Sequence, residues 1–235
     1  MRPLIGITAD FVPGEMAGRA WHDSRLLVSY AEAIQAVGGL PVVLSIADDA
    51  TAAATVERLD GLILSGGRCD VPPSTYGESK HAETNPLPDA RWENECRWLR
   101  AARAASKPVL GICLGMQVIG VTHGATMIQH IPDEPGLSQH TDATRMFQHD
   151  IRLQAGSWLR DIAPAEQMPI SSAHHQALRT VPGGFTLTAS AGDGVIEGIE
   201  SQSGPFLVGV QWHPERSLKQ PDWVLKGFVE ICARI

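Results

Sequence analysis

The sequence predicts an α/β fold in which a mostly parallel, doubly wound sheet carries helices on both faces. The first half of the chain alternates short apolar runs with longer segments of helical periodicity, which is the order expected of βαβ units. The crossovers in such folds are right-handed, and ligands bind where the carboxyl ends of the strands meet. The predicted strands cover residues 4–9, 40–44, 61–64 and 109–112, and the predicted helices cover 24–37, 52–59 and 90–105.

The second half of the chain predicts a small antiparallel addition to this sheet. After Met146 the apolar runs become shorter, and a run at 184–190 is followed at 194–200 by another across Gly192 and Asp193. Two strands joined by so short a turn pair antiparallel. No internal repeat or linker is evident, so we expect a single domain over residues 1–235.

Composition excludes several classes of partner. A chain of 235 residues with 43% hydrophobic residues can bury one sizeable core. The net charge of −7 argues against nucleic acid, since binding to phosphates needs clustered cationic groups. No apolar run reaches a membrane-spanning length, and Met1-Arg2-Pro3 leads directly into the first predicted strand, so we expect a cytoplasmic protein without membrane contact. The four cysteines lack the spacing of a zinc site or a disulfide framework.

One cysteine, Cys113, lies between two glycines where an apolar strand is predicted to turn into a helix. In the pattern Gly111-x-Cys113-x-Gly115, the glycines permit the tight turn of a nucleophile elbow, which lifts the reactive atom above the sheet edge. A helix N-terminus favours negative charge, and the thiolate is the attacking form of cysteine. We therefore interpret Cys113 as a nucleophile. Taken alone, the pattern also fits a small buried cysteine beside ordinary turns.

A base and its orienting group are predicted near the C-terminus, where an apolar run ends in Trp212-His213-Pro214-Glu215. Pro214 biases His213 toward extended geometry, and residues two apart on an extended chain face the same side. Glu215 is then able to fix the tautomer of the imidazole and to stabilise the imidazolium formed when His213 takes a proton. The alternative is a strand end with a surface histidine and glutamate, which leaves the cysteine elbow unexplained.

The cysteine elbow and the Trp212–Glu215 segment resemble the class I glutamine amidotransferase-like family, most closely its gamma-glutamyl-gamma-aminobutyrate hydrolase branch, which is peptidase C26-like. The resemblance runs nearly end to end and implies a flavodoxin-like fold. Further matching segments are Leu64–Gly67, Asp70–Val71, Tyr76–Glu78, His174–Gln176 and Asp193–Glu197. Leu114 departs from the pattern, because members of this branch often carry arginine directly after the nucleophile.

A long loop with several prolines, Gly66–Asp89, is predicted to cover the site. Loops of this length inside compact domains are often lids or binding loops. Gly66 and Gly67 at its start can bring backbone N–H groups close to a substrate. With the resemblance, this favours an oxyanion hole formed by the N–H groups of Gly67 and Leu114. An ordinary turn after a strand is the alternative for the two glycines.

The resemblance also implies a set of side chains that bind the substrate. His174, His175 and Gln176 are expected to line the pocket near Cys113, where the Gln176 side chain hydrogen-bonds the substrate and one imidazole donates. Gln117, one helical turn beyond Cys113, faces broadly the same way and is expected to contact the glutamyl group. A purely structural role is the alternative for the His-His-Gln segment.

The nine histidines raise the question of a metal, but the sequence predicts no metal site and no cofactor. His174 and His175 are adjacent, so on an extended segment they point to opposite faces. His140 and His149 are nine residues apart, and the His-Glu-x-x-His spacing of hydrolytic zinc sites is absent.

Together these features predict a cysteine-dependent hydrolase of gamma-glutamyl amides that passes through a thioester. The substrate implied by the resemblance is gamma-glutamyl-gamma-aminobutyrate or a related gamma-glutamyl amine of polyamine catabolism, and the products are glutamate and an amine. The main alternative is a glutaminase subunit that delivers ammonia to a synthetase partner. A non-catalytic binding protein of the same fold is a more distant alternative, and a homodimer is compatible with each.

Overall fold

A computed structural model describes residues 1–16, 19–138, 140, 147–217 and 222–234. The strands, in chain order, are β1 (Leu4–Thr8), β2 (Asp10–Met16), β3 (Arg19–Arg25), β4 (Leu40–Leu44), β5 (Gly61–Leu64), β6 (Val109–Ile112), β7 (Met127–Ile128), β8 (Phe147–Leu153), β9 (Gln167–Ser172), β10 (Ala177–Leu178), β11 (Phe185–Ala191), β12 (Ile196–Ser201) and β13 (Leu207–Val210). The α-helices are α1 (Val28–Ala36), α2 (Asp49–Val56), α3 (Asp89–Ala104), α4 (Leu114–Thr122), α5 (Trp158–Ile162) and α6 (Trp223–Cys232). Short 3-10 helices lie at Pro73–Tyr76, Ile131–Asp133 and Pro214–Arg216.

The described strands form a nine-stranded sheet with the order β4-β1-β5-β6-β13-β12-β11-β8-β9. From β4 to β13 the neighbouring strands pair in parallel, which confirms the predicted mostly parallel α/β sheet. Strands β5 and β6 have the bounds that the sequence predicts. Because β5, β6 and β13 are neighbours, their carboxyl ends at Leu64, Ile112 and Val210 lie side by side. The three segments that follow them therefore converge on one place.

The antiparallel part extends the same sheet beyond β13. The predicted pairing of residues 184–190 with 194–200 is confirmed, since β11 pairs antiparallel with β12. Strands β8 and β9 add a further antiparallel pair beside β11, so this part is larger than the sequence suggests. The difference arises because β8 and β9 are half-exposed strands, whose apolar signal is weaker than that of a buried parallel strand.

Helices cover both faces of the sheet, as predicted. Along β5, Leu62 and Leu64 pack with the helices α2, α3 and α4 on one face, whereas Ile63 packs with α1 and α6 on the other. All three side chains are fully buried. Alternation of this kind is required of a strand buried on both sides. None of the helices in the described ranges combines the length and apolar character needed to cross a membrane.

A hairpin formed by β2 and β3 departs from the predicted order. The sequence predicts a helix from residue 24, but Ser24 and Arg25 pair with Phe11 and Asp10 in the hairpin, and α1 begins only at Val28. The predicted start of this helix was wrong because the residues directly before a helix can fit the helical periodicity as well as those inside it. The hairpin follows directly after β1 and therefore rises at the carboxyl edge of the sheet.

Candidate active site

The turn from β6 into α4 is a strained elbow centred on Cys113. Cys113 has φ 52° and ψ −107°, a conformation that side-chain-bearing residues rarely adopt. Its N–H donates to the Val210 carbonyl at 2.8 Å, which fastens the elbow to β13. A Cβ on Gly111 would lie 2.6 Å from the backbone of Gly115, and one on Gly115 would lie 2.1 Å from the Leu64 carbonyl oxygen. Both glycines are therefore required by close backbone contacts, as the pattern indicates.

The segment after β13 brings His213 and Glu215 together beside the elbow. His213 Nδ1 lies 2.8 Å from Glu215 Oε1, and both side chains are buried. The expected extended geometry was wrong, because Pro214 begins a 3-10 helix and Glu215 lies within it. The His213 N–H donates to the Ser171 carbonyl at 3.0 Å and fixes the start of this turn. The tight turn therefore produces the contact that was expected of an extended chain.

The electrostatics of this pair favour a protonated His213. Burial alone would lower its pKa, but the charges of Glu215 and Cys113, with hydrogen bonds to both, outweigh burial and raise the pKa to about 10. An imidazolium between a carboxylate and a sulfur atom is the arrangement of a thiolate–imidazolium pair. His213 is thus placed to exchange a proton with a group bound at Cys113.

Tyr30 is part of the site, although sequence reasoning missed it. Its hydroxyl oxygen accepts the Gly66 N–H at 2.8 Å, and its side chain is buried. Burial and the nearby charge of Glu215 raise the pKa of Tyr30 well above its usual range, so it remains a neutral phenol. Nothing in the helical pattern around Tyr30 sets it apart from an ordinary core residue. It fixes the loop after β5 and occupies the Gly66 N–H, which was expected to face the substrate.

Gly67 and Leu114 lie against each other beside the turn at Cys113. A Cβ on Gly67 would lie 2.5 Å from Leu114 Cδ2, so the side chain of Leu114 packs directly beneath Gly67. Leu114 is 2% exposed and belongs to the hydrophobic core. Within the described ranges, neither backbone N–H has a hydrogen-bond acceptor. The expected oxyanion hole stays a prediction that this geometry permits.

The two predicted glutamines lie in the wall of the cavity with most of their amide groups engaged. Gln117 Nε2 donates to Gln211 Oε1 at 3.2 Å and to the Gln176 carbonyl at 3.3 Å. Gln176 Nε2 donates to the Gln129 carbonyl at 2.9 Å, while its buried Oε1 has no partner in the described part of the chain. Gln176 therefore retains an acceptor, whereas the Gln117 amide is held by its neighbours.

His174 and His175 point in different directions from the same segment. His175 Nε2 lies 3.0 Å from Asp70 Oδ1, and its Nδ1 lies 3.1 Å from His130 Nδ1. The hydrogen bond to Asp70 is the main reason that the pKa of His175 is raised. His174 is buried and turns its Nε2 toward Glu197, at 3.4 Å. Of the two, His175 is the more exposed to the cavity.

A cavity of about 1130 Å³ lies above Cys113. The Gly66–Asp89 loop forms one wall, and the hairpin contributes Phe11 and Val12 to another. Pockets of 300–1000 Å³ hold drug-sized ligands, so this cavity accepts a molecule considerably larger than a single amino acid. The other lining residues include Arg25, Arg68, Cys69, Asp70, Asn85, His175, His213 and Arg216.

A buried charge cluster supports the cavity floor. Arg91 is fully buried, with Nη1 at 2.9 Å from Asp10 Oδ1 and Nε at 2.8 Å from Glu95 Oε1. Thr8 Oγ1 donates to Glu95 Oε2 and accepts the Ser65 N–H, each at 3.0 Å. Arg91 is able to lie in the interior because these carboxylates neutralise its charge. The cluster ties the hairpin, α3 and the loop after β5 into one unit.

This architecture is that of the class I glutamine amidotransferases. The glutaminase domain of Trypanosoma brucei CTP synthase, solved with bound acivicin, matches it with a TM-score of 0.68. That match covers 99% of this chain and 94% of that domain at 15% sequence identity, which establishes a shared fold.

The chain belongs to the peptidase C26 family, whose model matches residues 3–215. Rv2859c of Mycobacterium tuberculosis is 34% identical over 92% of this chain and 71% of its own length, and its name assigns it provisionally to the glutamine amidotransferases. The gamma-glutamyl-gamma-aminobutyrate hydrolase PuuD of Escherichia coli K12 is 26% identical over 98% of this chain and 93% of its own length. The resemblance drawn from the sequence is thereby confirmed, and the protein is a hydrolase of the glutamine amidotransferase-like type.

Gly115→Ala is expected to destabilise the elbow, because the new Cβ would overlap the Leu64 carbonyl oxygen, which belongs to rigid backbone. Overpacking of this kind costs about 1–3 kcal/mol. Gly183→Ala is the matched control, since nothing lies within 4 Å of its added Cβ. Urea unfolding of both variants measures the effect. Equal stability of the two variants would contradict the argument.

The difference in unfolding free energy between the wild type and His213→Gln is expected to shrink as the pH rises. His213 has a folded pKa of about 10, above the 6.5 of an unperturbed histidine, so the folded state holds the extra proton between these values. Stability from this group is complete below pH 6.5 and is lost as the pH approaches 10. Unfolding curves at several pH values test this, and a difference that widens with pH would refute it.

Proposed function

We propose that the protein hydrolyses gamma-glutamyl amides with Cys113 as nucleophile, His213 as the proton-transfer group and Glu215 as its orienting partner. The observation that carries the proposal is the buried 2.8 Å contact between His213 and Glu215, with His213 lining the same cavity as Cys113. The name of the PuuD relative supports a gamma-glutamyl substrate. No cofactor enters this chemistry.

In the first half-reaction, the Cys113 thiolate attacks the gamma-carbonyl carbon of the substrate. The carbonyl oxygen becomes an oxyanion, which the N–H groups of Gly67 and Leu114 bind. His213 gives its proton to the departing nitrogen as the C–N bond breaks, so the amine leaves neutral and a thioester remains on Cys113.

In the second half-reaction, neutral His213 takes a proton from water. The hydroxide attacks the thioester carbonyl carbon, the C–S bond breaks, and glutamate is released with the Cys113 thiolate and the His213 imidazolium restored. The Glu215 carboxylate holds the imidazole in place and stabilises the imidazolium. Tyr30 holds Gly66 through its hydrogen bond and thereby keeps Gly67 in place for both steps.

The charges on the cavity wall favour an amine that carries a carboxylate. Arg68 lines the cavity without an ion-pair partner among the described residues, whereas the lining carboxylates Asp10 and Asp70 are paired with Arg91 and His175. Arg25 and Arg216 also line the cavity, and their partners are Asp23 and Glu215. A cationic wall attracts anions and repels polycations. The buried Leu114 offers no charge of its own. This supports gamma-glutamyl-gamma-aminobutyrate, rather than a gamma-glutamyl polyamine, as the substrate.

The second candidate is a glutaminase subunit that passes ammonia to a synthetase. The fold shared with the CTP synthase glutaminase domain and the name of Rv2859c favour it. A cavity much larger than glutamine favours the self-contained hydrolase.

The test is amine release by purified protein from glutamine, gamma-glutamyl-gamma-aminobutyrate and gamma-glutamylputrescine. We expect kcat/KM to be highest for the aminobutyrate amide. Cys113→Ser should abolish the reaction, whereas Cys96→Ser, which removes a thiol on α3 outside the cavity, should retain it. If the protein releases ammonia from glutamine faster than the other amines, and does so only when a synthetase is added, the second candidate is favoured. Activity that survives Cys113→Ser would refute the mechanism.

Glu215→Gln is expected to lower kcat by about 10⁴-fold, as loss of the acid does in serine triads. The amide keeps the shape of Glu215 but removes the charge that raises the pKa of His213. Thioester formation and breakdown should both slow, which single-turnover measurements separate. Glu93→Gln on α3 serves as the control, since it lies outside the cavity. A loss below about tenfold would assign Glu215 a structural role.

A further inference from the structure

A second cluster of titratable side chains lies in the antiparallel part of the sheet and takes no part in the proposed hydrolysis. It comprises His140, His149 on β8, His174 and Glu197 on β12. Glu197 is fully buried, His140 and His174 are 3% and 4% exposed, and the side chain of His149 is 15% exposed. A carboxylate this deep needs compensation from donors or from a cation.

The four side chains converge on one point. Glu197 Oε1 lies 3.1 Å from His140 Nδ1, 3.4 Å from His174 Nε2 and 3.5 Å from His149 Nε2. One ligand atom from each residue lies within 4.8 Å of all the others. Ligands at about 2.05 Å from a tetrahedral ion are separated by about 3.3 Å, which is close to these three distances.

The outward nitrogen of each histidine is held by an acceptor. His174 Nδ1 lies 2.9 Å from the Gln176 carbonyl, and His149 Nδ1 lies 3.2 Å from the Asp150 carbonyl. A carbonyl only accepts, so each Nδ1 carries the proton and each inward Nε2 presents a lone pair. His140 Nε2 lies 3.0 Å from Asp193 Oδ2 and is fixed in the same way. Acceptors of this kind behind metal-bound histidines orient the ligands.

The inward atoms accept or donate no hydrogen bond within the part of the chain that the structure describes. Among the described residues, the inward nitrogens of His140, His149 and His174 and both Glu197 oxygens are buried without a partner in hydrogen-bonding geometry. One proton would satisfy a single nitrogen and leave the other lone pairs facing a carboxylate oxygen. A divalent cation would satisfy all four groups together.

We propose that His140, His149, His174 and Glu197 bind one divalent transition-metal ion, with zinc fitting best. Three imidazole nitrogens and one carboxylate oxygen suit zinc better than calcium or magnesium, which prefer oxygen ligands. Four protein ligands close the coordination sphere, as in structural zinc sites. The expectation of no metal rested on sequence spacing, which does not apply to ligands from separate elements. The ion would join β8 and β12 to the segment that carries His175 and Gln176 into the cavity wall.

The test is zinc titration of chelator-treated protein that carries Cys113→Ser, so that the catalytic thiol does not bind the ion. We expect one equivalent of zinc to bind and to raise the melting temperature. His149→Gln and Glu197→Gln should each weaken binding by at least about 100-fold, and Asp193→Asn, behind His140, by about 10–100-fold. His123→Gln, a histidine outside the cluster, is the matched control.

Two further measurements keep the test decisive. Circular dichroism establishes that each variant is folded before its affinity is compared, and Co²⁺ in place of zinc should give the intense visible absorption of a tetrahedral site. The proposal is overturned if folded Cys113→Ser protein binds no zinc, or if His149→Gln and Glu197→Gln bind it as tightly as His123→Gln. None of these readouts depends on the hydrolytic activity.

Discussion

The contact between the first turn of α4 and the end of β5 is the constraint on which the site depends. Gly115 lies so close to the Leu64 carbonyl that no side chain fits between them. This approach forces the chain to turn within one residue, and Cys113 takes up the turn with a positive φ. Because β5, β6 and β13 are adjacent, the elbow, the loop with Gly67 and the turn with His213 then meet without further adjustment.

The charged groups that support this elbow are largely buried and lie against partners of opposite charge. His213 and Glu215 pair in the interior, and Arg91 is neutralised by Asp10 and Glu95 below the cavity floor. Each such group would be costly to bury alone, but the partners are held by the same strands and helices, so they need not reorganise when substrate arrives. The proposed chemistry therefore uses electrostatic interactions that folding has already established.

Local sequence patterns made much of the central sheet and of the elbow at Cys113 predictable. Strands β5 and β6 are short apolar runs with clear ends, and the elbow is specified by residues within one turn of Cys113. The sequence could not reveal Tyr30, whose role depends on a hydrogen bond to Gly66 across 36 residues. The cluster of His140, His149, His174 and Glu197 escaped for the same reason, since pairing of the antiparallel strands brings it together. The features that the sequence did not reveal depend on contacts between residues far apart in the chain, rather than on residue type.

The hairpin of β2 and β3 has one part that is anchored to the core and another that lines the cavity. Its base is anchored by the ion pair of Asp10 with Arg91, whereas Phe11 and Val12 face the cavity beyond that anchor. Cys113 and His213 lie in the segments that follow β6 and β13 of the central sheet, whereas the hairpin belongs to the connection between β1 and α1. Under the proposed function, substitutions in the hairpin beyond Asp10 would alter which amines are accepted and would leave the reacting groups and their support in place. The range of substrates and the capacity for the reaction would then be able to change independently of each other.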